Sequence, residues 1–256
     1  MKKVSIIGSG NVATHLAKVM FSYGYIIHEV YSKTKENAEK LAKKVNAQVI
    51  YQIADLDVIN IDLIIISVND DQIHSVSNSI PRSNSVIVHT SGTKNIDELS
   101  KHQKRGVFYP LQTFSKEVDI SFENIPICLE ADSENTFSIL NEIANTISKN
   151  VRVTNSENRK EIHLAAVFAC NFTNHMLALA SNILEEGNQD LSILEPLIKE
   201  TIKKSFLSSP KLVQTGPAIR EDMEVINKQI KRLEGTPIVQ KLYQDISNSI
   251  IKLKNE

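Results

Sequence analysis

Tryptophan is absent from this chain, cysteine occurs only twice, and neither sign of charge dominates. With 29 Lys plus Arg against 30 Asp plus Glu, the formal net charge is −1, so no global field draws in nucleic acid or an acidic surface. Cys128 and Cys170 lie far apart, with neither a C-x-x-C nor a Cys/His spacing around them. That excludes a disulfide framework, and both thiols are expected to be reduced and buried in a cytoplasmic protein. No group of His, Cys, Asp or Glu has ligand spacing, so no metal is expected. The apolar run after Met1-Lys2-Lys3 stops at Gly8, which reads as a strand rather than an export signal. No apolar stretch approaches the roughly 18 residues that span a bilayer, so no membrane partner is expected.

What is present is alternation. Short β-branched runs at residues 4–7, 26–31, 63–68 and 86–89 are separated by amphipathic segments at 12–23, 36–45 and 73–80. Strand alternating with helix predicts a parallel sheet wound by right-handed crossovers. Leu63-Ile64-Ile65-Ile66-Ser67-Val68 is apolar almost throughout, as a strand covered on both faces must be. Further strands at 107–109, 127–129 and 151–153, with a helix over 133–147, complete a mostly parallel sheet of about eight strands. Beyond Thr154 strand signals vanish. Residues 157–186 contain no Gly or Pro and read as one long helix, largely buried around Leu164–Ala169, and 193–207, 220–233 and 238–253 read as three more. The fold class expected is therefore α/β over 1–154, followed by an all-helical domain over 155–256 that dimerises.

Gly8-Ser9-Gly10-Asn11-Val12-Ala13 is G-x-G-x-x-A directly after a strand and opening a helix. Gly8 permits the tight turn, Gly10 lets the backbone approach a pyrophosphate, and Ala13 lets the helix pack close to the sheet. This is the fingerprint of a dinucleotide-binding Rossmann domain, with free N–H groups at the helix start facing phosphate. An NAD site carries Asp or Glu at the end of the second strand. Here that end reads Tyr31-Ser32-Lys33-Thr34, with no carboxylate to repel a 2′-phosphate, so NADP is expected in preference to NAD. Val68, Asn69 and Asp70 end another strand at the ligand edge, where Asn69 and Asp70 either border the ribose or cap the next helix.

Several polar groups could carry chemistry. His89, in His89-Thr90-Ser91-Gly92, ends a strand at the ligand edge and is either a proton donor or a structural histidine. Ser91, Gln112 and Thr113 are candidate substrate contacts. In the long helix, His163, Val167, Cys170 and Asn174 fall near one stripe, with Asn171 about 80° away. His163 and Asn171 are candidate catalytic groups, although about 12 Å of helix axis separates them, so at most one touches the reacting atom. Asn174 is a candidate substrate contact. Arg220, in Thr215-Gly216-Pro217-Ala218-Ile219-Arg220, either clamps a substrate anion or pairs with a neighbouring carboxylate.

The Gly8–Ala13 turn, the 89–92 segment, Pro110-Leu-Gln-Thr-Phe114, His163-Leu-Ala-Ala166 with Asn171-Phe-Thr-Asn174, and the 215–220 segment occur together and in order. The set resembles a bacterial family of Rossmann-like proteins with a C-terminal domain of unknown function, grouped with NADP oxidoreductases. That family is similar to the 3-hydroxyisobutyrate dehydrogenase, pyrroline-5-carboxylate reductase and ketopantoate reductase superfamily. The resemblance implies a helical second domain that often dimerises and a reaction in the cleft between the two domains. Position 109 is Tyr where the family commonly has His. The lysine that hydroxyacid dehydrogenases of the superfamily place one turn before an asparagine is here Val167, so a proton would have to come from His163 or His89. The reading is an NADP(H)-dependent oxidoreductase acting on a small carbonyl, imine or hydroxyacid. Its rivals are a non-catalytic NADP-binding sensor or structural protein, and a non-redox enzyme on the same scaffold.

Overall fold

The computed structural model describes residues 2–255, and the chain divides into two compact units, Met1–Cys170 and Asn171–Glu256. In the first unit, β1 (Lys3–Ile7), α1 (Asn11–Ser22), β2 (Ile26–Tyr31), α2 (Lys35–Val45) and β3 (Gln48–Ile50) form one half of a doubly wound sheet. The other half is β4 (Leu63–Ile66), α3 (Ile73–Ser79), β5 (Val86–His89), β6 (Arg105–Pro110), β7 (Ile127–Ala131), α4 (Glu134–Ile147) and β8 (Val151–Val153). Among the described residues the strand order is β3-β2-β1-β4-β5-β6-β7-β8, a sheet of eight strands. Pairing is parallel except between β6 and β7. No helix fills the stretch between Pro110 and Ile127, so the chain has no crossover there and returns antiparallel. The three-residue β3 escapes the sequence reading because it carries too few apolar residues to make a pattern.

β4 is buried on both faces. Leu63 and Ile65 pack with α1, α2 and α4 through Leu16, Leu41 and Leu140, while Ile64 and Ile66 pack with Ile73, Ile80 and Leu99 on the opposite side. Each such fully buried side chain contributes about 1.5–3 kcal/mol of burial free energy. Helix ends follow local chemistry: Ser133 Oγ caps α4 by accepting from the Thr136 N–H at 3.3 Å, and Asn46 ends α2 in the left-handed region at φ 52°. Three side chains of α1 fasten the 111–126 loop. Asn11 Nδ2 donates to Phe114 O at 2.8 Å, His15 Nε2 donates to Ser115 O at 2.8 Å, and Lys18 pairs with Asp119.

After β8 the chain is helical: α5 (Ser156–Ala166), a π-helical turn over Val167–Phe172, α6 (Thr173–Glu185), α7 (Glu195–Leu207), α8 (Pro217–Arg220), α9 (Met223–Arg232) and α10 (Pro237–Asn255). Asn155 Oδ1 caps α5 by accepting from the Asn158 N–H at 2.8 Å. Five sequence expectations need correction. The π-turn inserts a residue into the helical phase, so the stripe through His163, Val167, Cys170 and Asn174 does not hold. Leu164 and Phe168 are 53% and 63% exposed rather than buried, and Cys170 is exposed. The helix expected over 220–233 breaks at Glu221, whose φ of 57° separates α8 from α9. Finally, an 18-residue window of Ser156–Glu185 has a mean hydropathy of 1.3, long and apolar enough to cross a membrane by length and composition. Uncharged polar residues such as Asn171 and Thr173 break the apolar run without lowering its average much, which is why the run itself reads as short.

Candidate active site

The parallel strands β1, β4, β5 and β6 deliver their carboxyl ends to one edge, and the order of the sheet reverses between β1 and β4. A groove of about 730 Å³ opens there. Gly8 sits at its floor with φ 124°, and a Cβ on it would stand 1.9 Å from the Ser67 carbonyl oxygen. Gly8 N–H donates to Tyr31 O at 2.8 Å and Ser67 N–H donates to Ile7 O at 2.7 Å, so three strand ends are tied at this point. The start of α1 has no side-chain cap and no acidic residue in its first turn. Its N–H groups and the positive end of the helix dipole are thus presented to the groove, where a Cβ on Gly10 would meet no atom within 4 Å. This arrangement fits a pyrophosphate.

One end of the groove is lined by Tyr31, Ser32, Lys33 and Thr34, none of them acidic. Ser9 Oγ donates to Ser32 Oγ at 2.7 Å, fixing Ser32 against the phosphate turn, and Lys33 and Thr34 are exposed. Along one wall stand Val68, Asn69, Asp70, Gln72 and Val76. Asn69 makes no side-chain cap to the turn that follows it, and Asp70 accepts from Thr93 Oγ1.

At the opposite end lie Ser67, Thr90, Ser91, Gly92, Tyr109, Pro110, Gln112 and His163. Tyr109 Oη and His163 Nδ1 are 3.0 Å apart, with the rings edge to face at 62°. Gly92 makes room for the pair, since a Cβ there would stand 2.7 Å from His163 Nδ1 and 2.9 Å from Tyr109 Cζ. Burial, with the nearby Cys128 adding to it, pushes the Tyr109 phenol up to about 12. Beneath them Arg159, fully buried, donates from Nε to Ser91 O at 3.1 Å, from Nη2 to Lys94 O and Ser156 Oγ, and from Nη1 to Glu130.

Of the two roles open to His89, the geometry favours the structural one. It is fully buried and does not line the groove; Nδ1 accepts from the Ser91 N–H at 3.2 Å and Nε2 donates to Asn95 O at 3.3 Å. Burial first, and then the Arg159 guanidinium, lower its pKa to about 4. A neutral ring with both nitrogens held by backbone cannot donate a proton to substrate, so His89 is a structural histidine. Below its unfolded pKa of about 6.5 the unfolded chain binds the extra proton and the folded one does not, so stability falls as pH drops toward 4. The loss from this group is about 2 kcal/mol at about pH 5 relative to about pH 8. The non-titrating His89→Gln variant should lose less of its urea midpoint between those pH values than the wild type; equal losses would acquit His89.

Residues 3–92 match the profile of the NADP oxidoreductase, coenzyme F420-dependent family, and residues 125–250 match the domain of unknown function DUF2520. A provisionally named NADP oxidoreductase from Bacteroides fragilis is 39% identical, aligns over 98% of each chain, and superposes with a TM-score of 0.91. The chain belongs to this NADP oxidoreductase family. A pyrroline-5-carboxylate reductase from Streptococcus pyogenes shares the fold at 13% identity, over 99% of this chain and 98% of that one, with a TM-score of 0.65. An imine reductase from Myxococcus stipitatus, in complex with NAD+, does so at 14% identity, 98% and 94% coverage, and a TM-score of 0.59. No curated protein matches the sequence.

Within this family member, the groove gathers Gly8, Ser9, Gly10, Asn11, Val12, Ser32, Lys33, Thr34, Val68, Asn69 and Asp70, together with Ser91, Gln112 and His163. Thr113 does not line it; its N–H and Oγ1 donate to Gln112 Oε1 instead. Asn171, Asn174 and Arg220 belong to the second unit and are exposed. Ser91 reaches the groove but uses its Oγ to accept from the Thr93 and Lys94 N–H groups, both at 3.1 Å. Sequence reasoning passed over Gly92 and Arg159 and set Tyr109 aside. The signals available were a glycine just after a strand end and an arginine one turn before a candidate histidine.

Proposed function

We propose that the chain is an NADP(H)-dependent oxidoreductase acting as a reductase of a small carbonyl or imine, or in reverse on a hydroxyacid, with NADP preferred to NAD. The carrying observation is the uncapped, non-acidic start of α1, set against a Ser32-Lys33-Thr34 segment that offers donors and a cation but no carboxylate. NADPH, when bound, supplies the hydride. Gly8, Gly10 and the α1 N–H groups hold the pyrophosphate, Ser32, Lys33 and Thr34 the 2′-phosphate, and Asn69 and Asp70 the ribose wall. Tyr109 and His163 meeting at the far end favour chemistry over bare cofactor sensing. Residues 155–256 serve substrate binding and dimerisation in a cytoplasmic homodimer. Leu197, Phe206, Leu207 and Ile238 are exposed apolar side chains available to such an interface.

Calorimetric titration with NADPH and NADH tests the cofactor reading. Ser32→Asp keeps an acceptor for the Ser9 hydroxyl while placing a negative charge beside the 2′-phosphate. It should weaken NADPH binding about tenfold or more, equivalent to about 1.4 kcal/mol, and leave NADH unchanged or tighter. Equal binding of NADPH by both proteins would sink the assignment of this segment.

A further inference from the structure

We propose that Tyr109 is the catalytic acid of this site, handing its phenol proton to the substrate heteroatom while His163 replaces that proton through Nδ1. The inference rests on the reductase reading above. Three observations carry it. Tyr109 Oη and His163 Nδ1 stand at 3.0 Å, both side chains line the groove, and both are only half-buried, so the pair reaches solvent and ligand alike. A Cβ on Gly92 would stand 2.7 Å from His163 Nδ1 and 2.9 Å from Tyr109 Cζ, so any side chain there would push the pair apart. His89 is excluded as donor by its backbone bonds. A phenol raised to about 12 is a poor acid alone, and a protonated imidazole directly behind it removes that handicap, because the phenolate never has to persist.

The step balances as follows. The substrate carbon gains the hydride, two electrons and one proton, and the C=N or C=O π bond breaks onto the heteroatom. The heteroatom takes the Tyr109 proton, and the Tyr109 oxygen takes the His163 Nδ1 proton. His163 is left neutral with its remaining proton on Nε2 and is recharged from water. One NADPH and one proton are consumed per substrate reduced.

Two probes separate proton from hydride transfer. Cyclohexanone needs both, whereas the quaternary iminium N-methyl-dihydroisoquinolinium takes hydride and needs no proton. Tyr109→Phe should lower cyclohexanone reduction about 100-fold or more and leave iminium reduction within about threefold of wild type. His163→Asn keeps a partner for the phenol but cannot deliver a proton, and should show the same split should Tyr109→Phe fail to fold. In the protein alone, nitrogen NMR of the His163 ring should report a shifted Nδ1 resonance once the phenol is removed. Tyr109→Phe reducing the ketone at the wild-type rate, or an unmoved Nδ1 resonance, overturns the role of Tyr109 alone, as does a wild type that reduces only the iminium. A wild type that binds NADPH and reduces neither probe overturns the reductase reading and this one with it.

Discussion

Replacing Gly8 with valine should abolish NADPH binding, by about 100-fold or more, equivalent to about 2.7 kcal/mol. The reason is local and double. The φ of 124° at Gly8 lies where side chains are strained, and the Cβ position is 1.9 Å from the Ser67 carbonyl oxygen, a backbone atom that cannot swing aside. Relief requires the β1 and β4 ends to separate, which breaks the Gly8–Tyr31 and Ser67–Ile7 backbone bonds and opens the floor on which a pyrophosphate would rest. Strain and overpacking together destabilise the first unit by about 3 kcal/mol. Calorimetry with NADPH and a urea melt measure both effects. A Gly8→Val protein with wild-type affinity and midpoint would refute the close approach.

Arg159→Met should cost about 3–5 kcal/mol of stability, the effect of removing one partner from a buried ion pair. Arg159 is fully buried, and its guanidinium serves the Ser91 and Lys94 carbonyls, the Ser156 hydroxyl and the Glu130 carboxylate together. Methionine fills much of the volume but leaves the Glu130 carboxylate, its side chain 14% exposed, without its cation. Lysine restores the charge but not the fork that meets four acceptors at once, so Arg159→Lys should recover little. Adding Glu130→Gln to Arg159→Met should recover part of the loss, because it removes the uncompensated charge. Chemical denaturation of the four proteins decides the matter, and Arg159→Lys with wild-type stability would contradict the geometry.

The parts legible in the sequence are those fixed by local rules. The Gly8–Ala13 pattern declares itself because close approach, turn and helix start fall within six consecutive residues. β4 declares itself because a strand covered on both faces has no polar side to interrupt it. Arg159 is hidden because Ser156-Glu157-Asn158-Arg159-Lys160 reads as a solvated helical start, and its partners Glu130, Ser91 and Lys94 arrive from distant parts of the chain. The pairing of Tyr109 with His163 spans 54 positions and follows from the antiparallel return of β7, which no spacing records. His89 stayed open between two roles for the opposite reason: its address at a strand end is the same whether the ring faces ligand or backbone. The π-turn at Val167–Phe172 defeats any wheel drawn at constant pitch.

The antiparallel return also makes α5 a ruler. Ser156 meets Glu130 and Ile96, Arg159 meets Ser91 and Lys94, and His163 meets Tyr109, at successive turns on one helical face. One residue inserted between Arg159 and His163 would swing the imidazole by about 100° while preserving every side chain of the site. The geometry at this edge is therefore encoded partly as a count: four positions from the anchoring guanidinium to the His163 imidazole, a phase that composition cannot report and that substitution cannot repair.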